Sequence, residues 1–147
     1  MHQLWKSLHN LSFVERPHPI VHLLWLRLRL PRLLARQSLD ELLAGLTRSR
    51  PTSTPKPSFR GLEDTLDRAE WLAERLPLVP RTCLYRCLAR YAIFRHHGFP
   101  VEFVMAVSQR GLDADGHAWI EFDGVPYRED RAAEFVVSFR YPARAAA

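Results

Sequence analysis

The hydrophobic period of this chain changes once, at Gly98. Before that point apolar residues recur three and four positions apart, the spacing of one helix face. After it they run together or alternate, as strands do. A chain that places its helices first and its strands last is expected to fold as α+β, with antiparallel strands joined by short turns. Leu23, Leu24, Leu28, Leu34 and Ala35 give apolar weight to a first helix over about 21–36, which Pro31 should kink or interrupt. Ser38-Leu39-Asp40-Glu41 reads as a capping box, followed by Leu42, Leu43 and Leu46 at helical spacing. Leu62, Leu66, Ala69, Leu72 and Leu76 mark a third helix over 62–76, closed by Pro77 and Pro80. The fourth starts at Thr82 or Cys83 and runs to about His97, with Gly98 suited to the helix C-terminus.

The strand half is shorter. Residues 101–108 read as a buried or half-buried strand, 109–116 as a polar loop, and His117 to Phe122 as a second strand. Asp123-Gly124 is a strong hairpin turn signal, and a third strand returns from Val125 to about Arg128. Phe135 to Phe139 forms a final strand or helix. Residues 49–60 carry three prolines and several hydroxyl residues, which build neither a helix nor a central strand. They divide a basic helical region, 1–48, from a region 61–147 that carries the chemistry.

Charge follows the same division. Residues 1–60 hold ten Lys and Arg against three Asp and Glu, and the remainder holds eleven against thirteen. Most of the basic side chains are read as a solvated helical face. They lack the aromatic interleaving of a nucleic-acid module, so no nucleic-acid partner is expected. Ile20 to Leu34 is broken by Arg27, Arg29, Pro31 and Arg32, so it is not a spanning helix and membrane contact is not expected. The two cysteines, Cys83 and Cys87, lie four apart on one helix, where they cannot readily pair. That usage fits a reducing cytoplasm.

Two positions point to chemistry. Cys83 opens a helix behind Thr82, a natural N-cap. There a thiol meets the positive end of the helix dipole and unpaired amides, which favour the thiolate and can also hold an oxyanion. Cys87, one turn deeper on the apolar stripe, is core. With His96 or His97 the two thiols make only a weak zinc pattern, so no metal or other cofactor is expected. His117 follows Gly116 at the start of a strand and shares a face with Trp119 and Glu121. A two-residue turn at Asp123-Gly124 places Asp130 opposite His117, whereas a three-residue loop with a glycine bulge places Glu129 there. Either register supplies a carboxylate to orient the imidazole. A thiol, an imidazole and a carboxylate are the parts of a papain- or transglutaminase-type nucleophilic site. The expected fold is therefore papain/transglutaminase-like, with the nucleophile at the N-terminus of a helix packed on a small antiparallel sheet.

The ordered set Cys83-Leu84-Tyr85-Arg86, Gly98-Phe99-Pro100, His117-Ala118-Trp119-Ile120-Glu121 and Asp123-Gly124 resembles the transglutaminase-like cysteine proteases of lasso peptide biosynthesis. The match extends over residues 83–124. The resemblance implies a leader peptidase acting on a ribosomally made precursor, with Cys83 as nucleophile, His117 as general base, and Glu129 with neighbouring Asp130 at the acidic position. It also implies a small leader-binding partner protein and a place beside the cyclase of the same pathway. Two other readings remain at this level. One is an acyl transferase or cross-linking enzyme of the same fold, and the other is a non-catalytic peptide-binding module.

Overall fold

A computed structural model describes residues 18–48, 56–108 and 115–142. The segments 1–17, 49–55, 109–114 and 143–147 lie outside the described residues, and with them most of the expected linker and polar loop. Among the described residues, four helices are followed by a four-stranded sheet.

Helix α1 spans Pro19–Leu34, with the His18 side chain accepting from the Ile20 amide and Pro19 at its first position. Proline fits there because that amide has no intrahelical acceptor. Pro31 does not interrupt the helix as expected. It removes a single amide near the C-terminal end, and its own carbonyl still accepts from the Ala35 amide at 3.1 Å. Helix α2, Leu39–Thr47, begins with the expected capping box. Ser38 accepts from the Glu41 amide at 3.2 Å, and Glu41 accepts from the Ser38 amide at 2.9 Å.

Helix α3 spans Phe59–Ala73, beginning and ending three residues before the apolar pattern suggested. Ser58 sets its start by accepting from the Gly61 amide at 3.1 Å. Leu76, the last residue of the sequence stripe, is exposed beyond the helix. Helix α4, Cys83–His96, is capped by Thr82 and ends as Gly98 turns with φ +78°.

The sheet has the order β3-β2-β1-β4 and is antiparallel throughout. Its strands are β1 (Val101–Ser108), β2 (Gly116–Phe122), β3 (Val125–Pro126) and β4 (Phe135–Tyr141), the last preceded by a 3₁₀ turn at Ala132–Glu134. Phe135 to Phe139, which the sequence reads as a strand or helix, is thus a strand, paired along β1. Val101, Phe103, Ala118 and Ile120 carry the sheet into the main core. Val104, Ala106 and Trp119 form a second, smaller cluster with Ala132 and Phe135. Leu23, Leu26 and Leu30 of α1 and Leu42 and Leu43 of α2 share the main core with α3, α4 and the sheet. The N-terminal helices therefore pack directly against the region that carries Cys83 and His117.

Arg27 is the least conventional member of that packing. It is fully buried, pairs with Glu70 of α3 at 2.5 Å and donates to the carbonyl of Pro80, just upstream of Cys83. Burial lowers its pKa while Glu70 opposes that shift, so the ion pair must hold both charges in the interior. Truncation leaves Glu70 buried without its closest cation. Arg27→Ala is expected to cost about 3–5 kcal/mol, read from urea unfolding midpoints and slopes.

His22, also on α1, sets an acid limit. Burial, then the nearby His96 and His97, lowers its pKa from 6.5 to about 4. His96 meets it edge-on at 5.4 Å. A base depressed on folding adds a proton more readily when unfolded. Its contribution is complete above about pH 6.5 and is lost as pH falls toward 4. The loss has an upper bound of about 3 kcal/mol. Urea unfolding at pH 7.5 and pH 5 should show it, and His22→Gln should flatten that part of the pH dependence.

Candidate active site

Helix α4 presents Cys83 half-buried at its first position. Thr82 Oγ1 accepts from the Tyr85 amide at 3.4 Å, and the Thr82 carbonyl accepts from the Arg86 amide at 3.1 Å. The amides of Cys83 and Leu84 belong to the opening turn and have no intrahelical acceptor, so they remain for an anion. Cys87 is buried one turn further in. Burial pushes its thiol pKa well up, with a further rise from Cys83, and keeps it protonated.

The β2–β3 hairpin delivers the other two groups. Asp123 and Gly124 both have positive φ, 50° and 81°, as a two-residue turn matching strand twist requires. Phe122 then pairs with Val125 and Glu121 with Pro126. The Tyr127 amide continues this register by donating to the Ile120 carbonyl at 2.9 Å. Extended three more pairs, this ladder would set Asp130 opposite His117. It stops instead at Arg128, which has φ 53°. The turn of the backbone there brings Glu129 inward. His117 Nε2 donates to Glu129 Oε2 at 2.5 Å, while Asp130 is exposed.

The left-handed Arg128 is fixed from both sides. Its guanidinium makes two hydrogen bonds to Asp67 of α3, at 2.5 and 2.9 Å, and lies 2.9 Å from Glu63. Those carboxylates, Asp67 foremost, raise its pKa and keep it charged. Tyr127 lies in an aromatic cluster with Phe94 and Phe122, at centroid distances of 5.7 and 5.6 Å, and donates to Glu63 at 2.7 Å. Burial, reinforced by the Glu63 hydrogen bond, pushes the phenol pKa up. Together these contacts over-determine a backbone conformation that a non-glycine residue adopts only at a cost.

Cys83, His117 and Glu129 line one cavity of about 280 Å³. Arg86 and Arg90, one and two turns along α4 from Cys83, form part of its wall, and Trp119, Tyr127 and Arg128 form another. The spacing of Cys83, Arg86 and Arg90 put both arginines on the cysteine's helix face in the sequence, although charge balance alone gave no reason to single them out. Glu70 lies 3.6 Å from each of them, and Glu74 pairs with Arg86 at 3.0 Å. Glu70 also pairs with Arg27, so it is shared among three guanidinium groups. On the imidazole, hydrogen bonding through Nε2 leaves Nδ1 as the nitrogen available to exchange a proton with a thiol or an amine. Ala106 pairs across the sheet from His117, a small neighbour on the same face. Among the described residues no group of three or more His, Cys, Asp or Glu is placed to hold a metal ion.

A helix-borne cysteine that shares a cavity with a strand-borne, carboxylate-bound histidine, on an α+β frame with an antiparallel sheet, defines a transglutaminase-like fold. The family profile for the Transglutaminase-like superfamily matches residues 24–140, and the chain belongs to that superfamily. The match begins within α1 and ends within β4, so it takes in the N-terminal helices as well as the sheet. Neither a curated protein nor a solved structure matches the chain. Membership sets the activity at the level of a cysteine protease or acyl transferase.

Proposed function

We propose that the protein is a cysteine peptidase that removes the leader from a ribosomally made lasso peptide precursor. The observation that carries this reading is the 2.5 Å contact between His117 and Glu129 in a cavity shared with Cys83. The ordered motifs over residues 83–124 supply the substrate class. In the proposed reaction the Cys83 thiolate attacks the carbonyl at the leader–core junction. The helix-terminal amide of Cys83 donates to the resulting oxyanion. His117, protonated, gives its proton to the departing amine of the core as the C–N bond breaks, leaving the leader as a thioester on Cys83. His117 then takes a proton from water, whose oxygen attacks the thioester. The leader leaves as a carboxylic acid and Cys83 returns as the thiolate beside a protonated imidazole. Glu129 fixes the tautomer and balances the imidazolium.

The cavity is at the small end for a ligand site. A site of this size suits the few residues that flank a scissile bond, with the rest of the leader held elsewhere. That supports a separate small leader-binding partner, with the freed core passing to a cyclase. No helix among the described residues is long and apolar enough to cross a membrane, and both cysteines are free. A cytoplasmic location is part of the proposal.

Superfamily membership favours one second reading, transfer of the acyl group to an amine by the same thiol. The test is incubation with the precursor, with and without the partner, followed by mass measurement. Hydrolysis yields a free leader acid and the intact core, their summed mass greater than the precursor by one water. An amine-linked leader would replace the hydrolytic reading with transfer.

A further inference from the structure

The imidazole of His117 is held by more than its carboxylate. Glu129 Oε2 accepts from Nε2, and the other oxygen, Oε1, accepts from the backbone amide of Arg131 at 3.2 Å. The chain then makes the 3₁₀ turn and enters β4 at Phe135, whose ring stacks on the imidazole with centroids 5.2 Å apart and planes 27° apart. Trp119 is 6.0 Å from His117 and 6.1 Å from Phe135, and forms a third side. Arg131 pairs with Glu134 at 3.0 Å, and its guanidinium lies 5.8 Å from the Phe135 ring, linking the two ends of the turn. The segment 129–135 thus touches the imidazole at its edge through Glu129 and on its face through Phe135.

The two contacts do different things. A hydrogen bond at Nε2 fixes one ring atom but leaves the plane free to tilt about the Nε2···Oε2 line. A near-parallel aromatic face removes that freedom and keeps Nδ1 aimed in one direction. The same face has the negative potential that favours an imidazolium when the proton arrives. Resting on the reading of His117 as the base of this site, we infer that Phe135 is a positioning residue for the reaction, holding the imidazole plane while Glu129 holds its edge.

The probe is iodoacetamide at neutral pH, with the adduct on Cys83 quantified by peptide mass so that buried Cys87 does not contribute. His117→Ala sets the rate without an activating imidazole and is expected to react about 100-fold more slowly than the native protein. Phe135→Leu, which keeps apolar bulk but loses the ring, is expected to slow alkylation about 10-fold, and Phe135→Tyr to restore it to within about twofold. Circular dichroism checks that each variant folds. If Phe135→Leu does not fold, Phe135→Met serves the same comparison. The Nε2-bound proton of His117 in nitrogen-15 spectra should persist in the slow, folded variant, because Glu129 is untouched. A native rate in folded Phe135→Leu or Phe135→Met, with His117→Ala slow, overturns the role of Phe135 alone. So does a Tyr variant that folds yet stays slow. A His117→Ala protein as reactive as the native one overturns the reading of the site itself, and the inference with it.

Discussion

Cys83→Ala is expected to lower precursor cleavage by at least about 10⁴-fold while leaving the protein folded. The loss is large because in the proposed reaction this thiol forms the acyl bond, and no neighbour can replace it. Cys87 is one turn away but buried, and its raised pKa keeps it as a thiol. The fold should survive because Cys83 sits at the first position of α4, half-exposed to the cavity. The cap made by Thr82 and the apolar face from Leu88 to Phe94 are unchanged. Cys87→Ala in parallel is expected to retain cleavage. Rates on the precursor, with thermal melts of both variants, check the pair of outcomes.

The second large effect separates two adjacent carboxylates. Glu129→Gln keeps the size and an acceptor oxygen at His117 Nε2 but removes the negative charge proposed to balance the imidazolium. A loss of about 10²–10⁴-fold in kcat is expected, with little change in KM. Asp130→Asn is expected to remain within about twofold of the native rate, since Asp130 is exposed and the contact to His117 comes from Glu129. Steady-state kinetics on the same precursor measure both. A large loss in Asp130→Asn with a native rate in Glu129→Gln would reverse the assignment.

That pair also shows where sequence reasoning stopped. The Asp123-Gly124 signal was legible, and the two-residue turn and its register formed. Continuing that register selects Asp130, because alternation assumes that the strand goes on. It does not, since Arg128 is drawn into a left-handed conformation by Asp67 and Glu63 of a helix some sixty residues earlier. No local signal encodes such a contact. The limits of α3 differ from its apolar stripe for a related reason. The stripe runs to Leu76, but the cap at Ser58 fixes the start and the chain turns after Ala73.

Other parts were legible because they are local. Thr82 and Cys83 at a helix start, Gly98 at its end, and the shared face of His117 and Trp119 follow from spacing and capping chemistry alone. Phe135 and Arg27 lie at the opposite extreme. A phenylalanine in a short apolar run and an arginine in a basic helix carry no sign that one stacks on His117 and the other pairs inside the core. Both contacts depend on tertiary packing between segments distant from one another.

The proposed reaction requires Cys83 to carry an acyl group during cleavage of a leader. Its most direct test is the intact mass of the protein after mixing with the precursor and quenching in acid within the first turnover. The expected result is an adduct of the leader mass less one water, located on Cys83, removed by hydroxylamine and absent from Cys83→Ala. Cleavage that continues in Cys83→Ala with no adduct on the native protein would contradict it.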